Sequence, residues 1–103
     1  MRRRCRKDLN HDAICGELTA QGFSVRDLHN AADSGPDILI GRNGLDAQVE
    51  IKSPRGRKTP LERLEPDQVE FAQAWRGCPV IVAFDSETIA RRFIEILTAR
   101  RRL

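Results

Sequence analysis

Apolar positions first recur at helical spacing. Ile14 and Leu18 lie four apart in a stretch from about residue 10 to 21, as one buried face of a helix requires. Asn10 stands where an N-cap belongs, and Gly22 where the helix should stop. The period then changes. Phe23 to Leu28 alternates like a strand, with Phe23 and Val25, and in the same register Asp27, on one side. Ala31 to Gly35 is a loop of small residues. Asp37 to Gly41 and Ala47 to Ser53 read as two further strands around Asn43-Gly44. Ser53 to Arg63 is a basic loop holding Pro54, Gly56 and Pro60. Pro66, after Glu65, fits the first position of a second helix, which is expected to run to Arg76. Phe71, Ala72 and Trp75 form its apolar stripe, and Gly77 ends it. Pro79 to Phe84 is an unbroken apolar run, the pattern of a strand buried on both faces. Asp85 or Ser86 caps a last helix, with Ile89, Phe93, Ile96 and Leu97 facing inward.

The predicted order is α-β-β-β-α-β-α. A strand that follows a crossover helix should lie parallel to a neighbour, so the expectation is an α/β fold with a mixed sheet flanked by helices. The 103 residues suit a single domain, with a basic arm at 1–7 and a basic tail at 98–103. Charged residues are 32% of the chain and hydrophobic ones 40%, which fits a globular protein with a charged surface. No apolar run approaches the roughly 20 residues that span a bilayer, and no apolar stretch follows the basic start, so the expected setting is cytoplasmic. Cys5, Cys15 and Cys78 are far apart and form no C-x-x-C pair, which argues against a zinc site or a disulfide framework. Cys15 and Cys78 read as small core residues. His11 and His29 have no partner at metal-ligand spacing.

The net charge of +3 is unevenly placed. Arg2, Arg3, Arg4, Arg6 and Lys7 crowd the start, and Arg100, Arg101 and Arg102 the end. A third cluster, Lys52, Arg55, Arg57, Lys58 and Arg63, lies in the middle. Clusters of this kind suit a phosphate backbone, because each neutralised phosphate releases counterions.

The candidate chemistry sits in the central hairpin. Asn-Gly flanked by alternating apolar residues signals a type I′ turn. With Asn43 and Gly44 at its centre, Ile40 opposes Ala47, Ile38 opposes Val49, and the register continues to Asp37 opposite Glu50. Ile38, Ile40, Ala47, Val49 and Ile51 then share one apolar side. Asp37, Leu39, Gln48, Glu50 and Lys52 share the other. Two facing carboxylates destabilise a sheet, and a divalent cation is the simplest reason for them. Mg²⁺ prefers hard oxygen ligands, taking one or two carboxylates with waters and phosphate oxygens. Lys52 points the same way as Glu50 and can orient or deprotonate a water or stabilise charge on a phosphate. The bland alternative is an Asp37 turn cap beside a surface Glu50–Lys52 ion pair.

Pro36-Asp37 followed by Glu50-Ile51-Lys52 resembles the signature of the PD-(D/E)XK nucleases. Gly35 to Gly41, Val49 to Ser53 and Leu64-Glu65-Pro66-Asp67-Gln68 resemble the small stand-alone VRR-NUC branch of phages and prophages. The likeness extends over residues 8 to 97. It implies a restriction-endonuclease-like α-β-β-β-α-β core, here with an extra C-terminal helix. It implies Asp37 and Glu50 as ligands of Mg²⁺ or Mn²⁺, with the Ile51 carbonyl as a third. It implies Lys52 as the catalytic lysine and Gln68 as a partner of the attacking water or the phosphate. Arg55, Arg57, Lys58 and Arg63 would bind nucleic acid. An acidic residue is expected on the first helix where Ala13 stands, with Asp12 or Glu17 as substitutes. The resemblance further implies branched DNA such as a Holliday junction as substrate, and a symmetric homodimer. The same surface would serve a nucleic-acid-binding module without catalysis, and, less well, a protein that binds other proteins.

Overall fold

The computed structural model describes residues 9–28 and 35–101. The elements are α1 (His11–Ala20), β1 (Ser24–Asp27), β2 (Ile38–Arg42), β3 (Leu45–Ile51), a 3-10 turn (Leu61–Arg63), α2 (Pro66–Ala74), β4 (Ile81–Ala83) and α3 (Ser86–Arg101). The strands form one sheet in chain order. β1–β2 and β2–β3 are antiparallel, whereas β3–β4 is parallel. A parallel neighbour needs a crossover connection, and α2 provides it. The mixed sheet flanked by helices, with α3 added at the C-terminal end, matches the core expected of a restriction-endonuclease-like fold.

Strand alternation decides the layers. Ile38, Ile40, Ala47, Val49, Ile51, Ile81 and Ala83 are buried and join Ile14, Leu18, Ile89 and Phe93 of α1 and α3 in one core. Phe23 and Phe93 meet edge to face, with ring centroids 5.1 Å apart, an arrangement the ring quadrupoles favour. The hairpin turn is as the sequence demands. Asn43 has φ 55° and Gly44 φ 80°, and Arg42 pairs with Leu45 across it.

Several boundaries differ from the sequence reading. β3 starts two residues earlier, at Leu45, because the tight turn lets pairing begin at once. α2 stops at Ala74, short of Arg76. Trp75 leaves the helix with extended backbone and stacks on Phe71, centroids 5.5 Å apart, rather than continuing the apolar stripe as a helical residue. The chain then doubles back so closely that a Cβ on Gly77 would come within 2.8 Å of the indole nitrogen. α3 runs through Arg101, so residues 98–101 form its last turn rather than a tail. Arg100 and Arg101 there complement the negative helix end. Asp85 is the cap of α3: its carboxylate accepts the Thr88 N–H at 2.7 Å, a bond that lowers its pKa. Ser86 is the first helical residue and donates to Glu17 instead. The arm at 1–7, with Cys5, and His29 lie outside the described residues.

His11 is buried, and its Nε2 lies 3.3 Å from the Asp27 carboxylate, joining α1 to β1. Cys15 and Cys78 are half-buried and pack at the core margin. Burial raises the Cys78 pKa. No helix among the described residues is long and apolar enough to cross a membrane.

Candidate active site

α2 covers the sheet face opposite the main core. Pro36, Glu50, Leu64, Gln68, Phe71 and Val82 line a small cleft between them. Glu50 is only 5% exposed there and Lys52 only 8%. Charged side chains are rarely so buried unless paired, hydrogen-bonded or bound to metal. Their presence two residues apart on one strand places carboxylate and ammonium on the same side of the sheet.

Asp37 reaches the same place by a different route from the one the hairpin register implies. The β2–β3 ladder ends at Ile38 opposite Val49. The Asp37 N–H donates to the Val49 carbonyl at 2.9 Å, so Asp37 is not set squarely across from Glu50. An extra residue at a strand end re-aims a side chain in this manner. The carboxylate turns onto β3, where Oδ2 accepts the Ile51 N–H at 2.7 Å. That amide immediately follows Glu50 in the chain, so the Asp37 carboxylate is tied to the β3 backbone next to Glu50 without being its cross-strand partner.

Gln68 ties the helix to this cluster. Its Nε2 donates to Glu50 Oε2 at 3.1 Å, while its Oε1 accepts the Glu65 N–H at 2.8 Å. The second bond satisfies an amide at the start of α2. The first leaves the Gln68 amide beside the candidate ligand. One side chain thus caps α2 and orients the carboxylate.

The donor set suits a hard cation. Two carboxylates with a strand-end carbonyl such as that of Ile51 leave room for the waters and phosphate oxygens that Mg²⁺ retains. Among the described residues, no three His, Cys, Asp or Glu side chains gather as a group that could hold a metal ion. Asp12 is exposed, and Glu17 accepts the buried Ser86 hydroxyl at 2.7 Å, joining α1 to α3.

The loop after Lys52 presents Arg55, Arg57 and Lys58, all exposed. It turns through Gly56 at φ 59°, and the Lys58 N–H reaches the Arg55 carbonyl at 3.4 Å. Thr59 and Glu62 close the loop. The Thr59 N–H donates to the Glu62 carboxylate at 2.7 Å, which holds the Glu62 pKa down. Arg63 is half-buried, and its Nη1 has no hydrogen-bond partner among the described residues. A buried guanidinium nitrogen left open in this way is suited to an anion.

Asn10 belongs to this neighbourhood although its sequence position marked it only as a helix cap. Its side chain makes no capping bond to α1. It donates instead to the carbonyls of Phe84 at 2.7 Å and Lys52 at 3.3 Å. Partners 74 and 42 residues away leave no periodic signal in the chain. Comparison with protein-family models, curated proteins and solved structures finds no match to this chain.

Proposed function

We propose that the protein is a metal-dependent DNA endonuclease of the PD-(D/E)XK type, close to the VRR-NUC branch. It hydrolyses phosphodiester bonds and selects branched DNA, a four-way junction above all. The observations that carry this reading lie at the end of β3: the Asp37 carboxylate accepts the Ile51 N–H, Gln68 donates to Glu50, and Glu50 and Lys52 are buried, with an exposed basic loop following in the chain. Asp37, Glu50 and the Ile51 carbonyl would hold Mg²⁺ or Mn²⁺. The cation, when bound, makes its water more acidic and polarises the scissile phosphate. Lys52 orients the attacking water or stabilises charge on the phosphate. Gln68 holds Glu50 and can turn its amide toward the same water. Arg55, Arg57, Lys58 and Arg63 contact backbone phosphates, which position the substrate and carry no base sequence. Two copies related by a two-fold axis would present two sites to two strands. The setting is the cytoplasm of a bacterium or infected cell.

A second reading is a DNA-binding module of the same fold without catalysis. The engagement of Glu17 by Ser86 favours it, since α1 then supplies no acid to the site. Cleavage of a labelled junction, a flap and a plain duplex, in Mg²⁺ or Mn²⁺ against EDTA, separates the two. The expected outcome is metal-dependent cutting, strongest on the junction, that Asp37→Asn removes. Binding without cutting in any metal would leave the module.

The loop has its own test. Arg55→Ala combined with Arg57→Ala is expected to weaken DNA binding and to flatten the dependence of log K on log salt, by roughly one unit per lost phosphate contact. An unchanged slope would mean that the loop does not touch phosphate.

A further inference from the structure

We infer that Asn10 is a positioning residue for Lys52, and that α1 contributes to the site through this amide rather than through an acid. The inference rests on the nuclease reading of Lys52. β3 and β4 run parallel, and their last ladder bond is the Lys52 N–H to the Ala83 carbonyl at 3.0 Å. Beyond it the carbonyls of Lys52 and Phe84 have left the ladder. Carbonyl oxygens only accept, so the atom bridging them must be the NH₂ end of Asn10, whose two hydrogens can serve one carbonyl each. The other end, Oδ1, accepts the Ser53 hydroxyl at 3.3 Å. Asn10 is itself fixed, because its own carbonyl accepts the Ile14 N–H at 3.0 Å in the first turn of α1. One half-buried side chain therefore clamps the ends of two parallel strands and the peptide that follows Lys52.

The consequence concerns where the ammonium points. A lysine reaches its target through four rotatable bonds, so its aim depends on a fixed Cα and on the walls around the stem. Burial supplies the walls. Asn10 fixes the backbone at the point where the chain turns from β3 into the basic loop. Releasing it should misplace the ammonium without removing any group that binds DNA, and a displacement near 1 Å can cost on the order of 100-fold in rate.

The experiment compares Asn10→Ala and Asn10→Asp with Leu45→Ala on the four-way junction. Asp keeps the shape of Asn but lacks the two donors. Leu45 is buried at the far end of the hairpin and serves as a control for lost stability alone. Both Asn10 variants are expected to lose kcat by about 100-fold with KM and DNA affinity unchanged, while Leu45→Ala keeps its kcat at temperatures where it is folded. A kcat that falls only with the folded fraction, or a loss confined to KM, would overturn the inference. Failure of the wild type to cut would mark failure of the nuclease reading instead. The positioning claim is then read from the side-chain NMR signals of Lys52, which is one of three lysines in the chain. They should move in Asn10→Ala and not in Leu45→Ala; signals unmoved by Asn10→Ala would dismiss the claim.

Discussion

Lys52→Ala is expected to lower single-turnover cleavage of the junction by about 10²- to 10⁴-fold, the range that a positioned acid–base group contributes, with DNA affinity and folding unchanged. The fold should survive because the structural bonds at this position are made by the backbone. The Lys52 N–H holds Ala83 and its carbonyl is held by Asn10, and alanine keeps both. What disappears is the ammonium of a residue only 8% exposed, two positions along the chain from the buried Glu50. Such a charge is costly to bury, so a purely structural account would have it neutralising Glu50. Lys52→Met separates these roles, since it keeps the stem and loses the charge. A methionine variant as slow as the alanine one assigns the loss to the ammonium. Cleavage at the wild-type rate in either variant would remove Lys52 from the mechanism.

The parts of this site that were legible from the chain are those set by local rules. Period-two alternation put Glu50 and Lys52 on one face and Val49 and Ile51 on the other, and the buried core confirms that division. The positive φ values of Asn43 and Gly44 suit a short polar side chain at the first and the lack of a Cβ at the second, and they fix the hairpin register. The continuous apolar run after Gly77 became a strand parallel to β3, because its connection passes through a helix. Its two sides are unequally covered: Ile81 and Ala83 enter the main core, while Val82 is half-buried at the α2 cleft.

What escaped the sequence reading depends on tertiary contact. Asp37 departs from the register because its N–H and carboxylate both find acceptor and donor on β3, and one residue of slip defeats a count along the strand. Trp75 reads as part of the apolar stripe of α2 with the half-buried Phe71 and Ala72, yet it is 47% exposed. Its stacking on Phe71 and the close passage of Gly77 end the helix first. Asn10 has the residue type and place of a cap, and the local rule for caps gave the wrong partner. The carbonyls it serves belong to the residues that directly follow β3 and β4, elements whose approach to α1 exists only once the sheet has formed.

Phe93→Ala is expected to produce the largest loss of stability, about 3–5 kcal/mol. Phe93 is fully buried in the middle of α3 and meets Phe23 edge to face. α3 packs on both α1 and β4, so the cavity would open where the three join, and neighbouring strands cannot move in to fill it. A domain of this size has about 5–15 kcal/mol in total, and a slope of about 1–3 kcal/mol/M makes the expected shift in urea midpoint more than about 1 M at unchanged m. A shift worth less than about 1 kcal/mol would be too small for an uncollapsed cavity and would mean that the helices and sheet can close the gap. The same variant tests how function depends on the core. Phe93 touches none of the groups assigned to chemistry, so the folded fraction should cut at the wild-type rate when assayed in the cold. Lys52→Ala should show the reverse, a stable protein that does not cut. If Phe93→Ala instead lost cleavage while fully folded, the packing of α3 would itself be setting the position of β4, and with it the Phe84 carbonyl that Asn10 shares with Lys52.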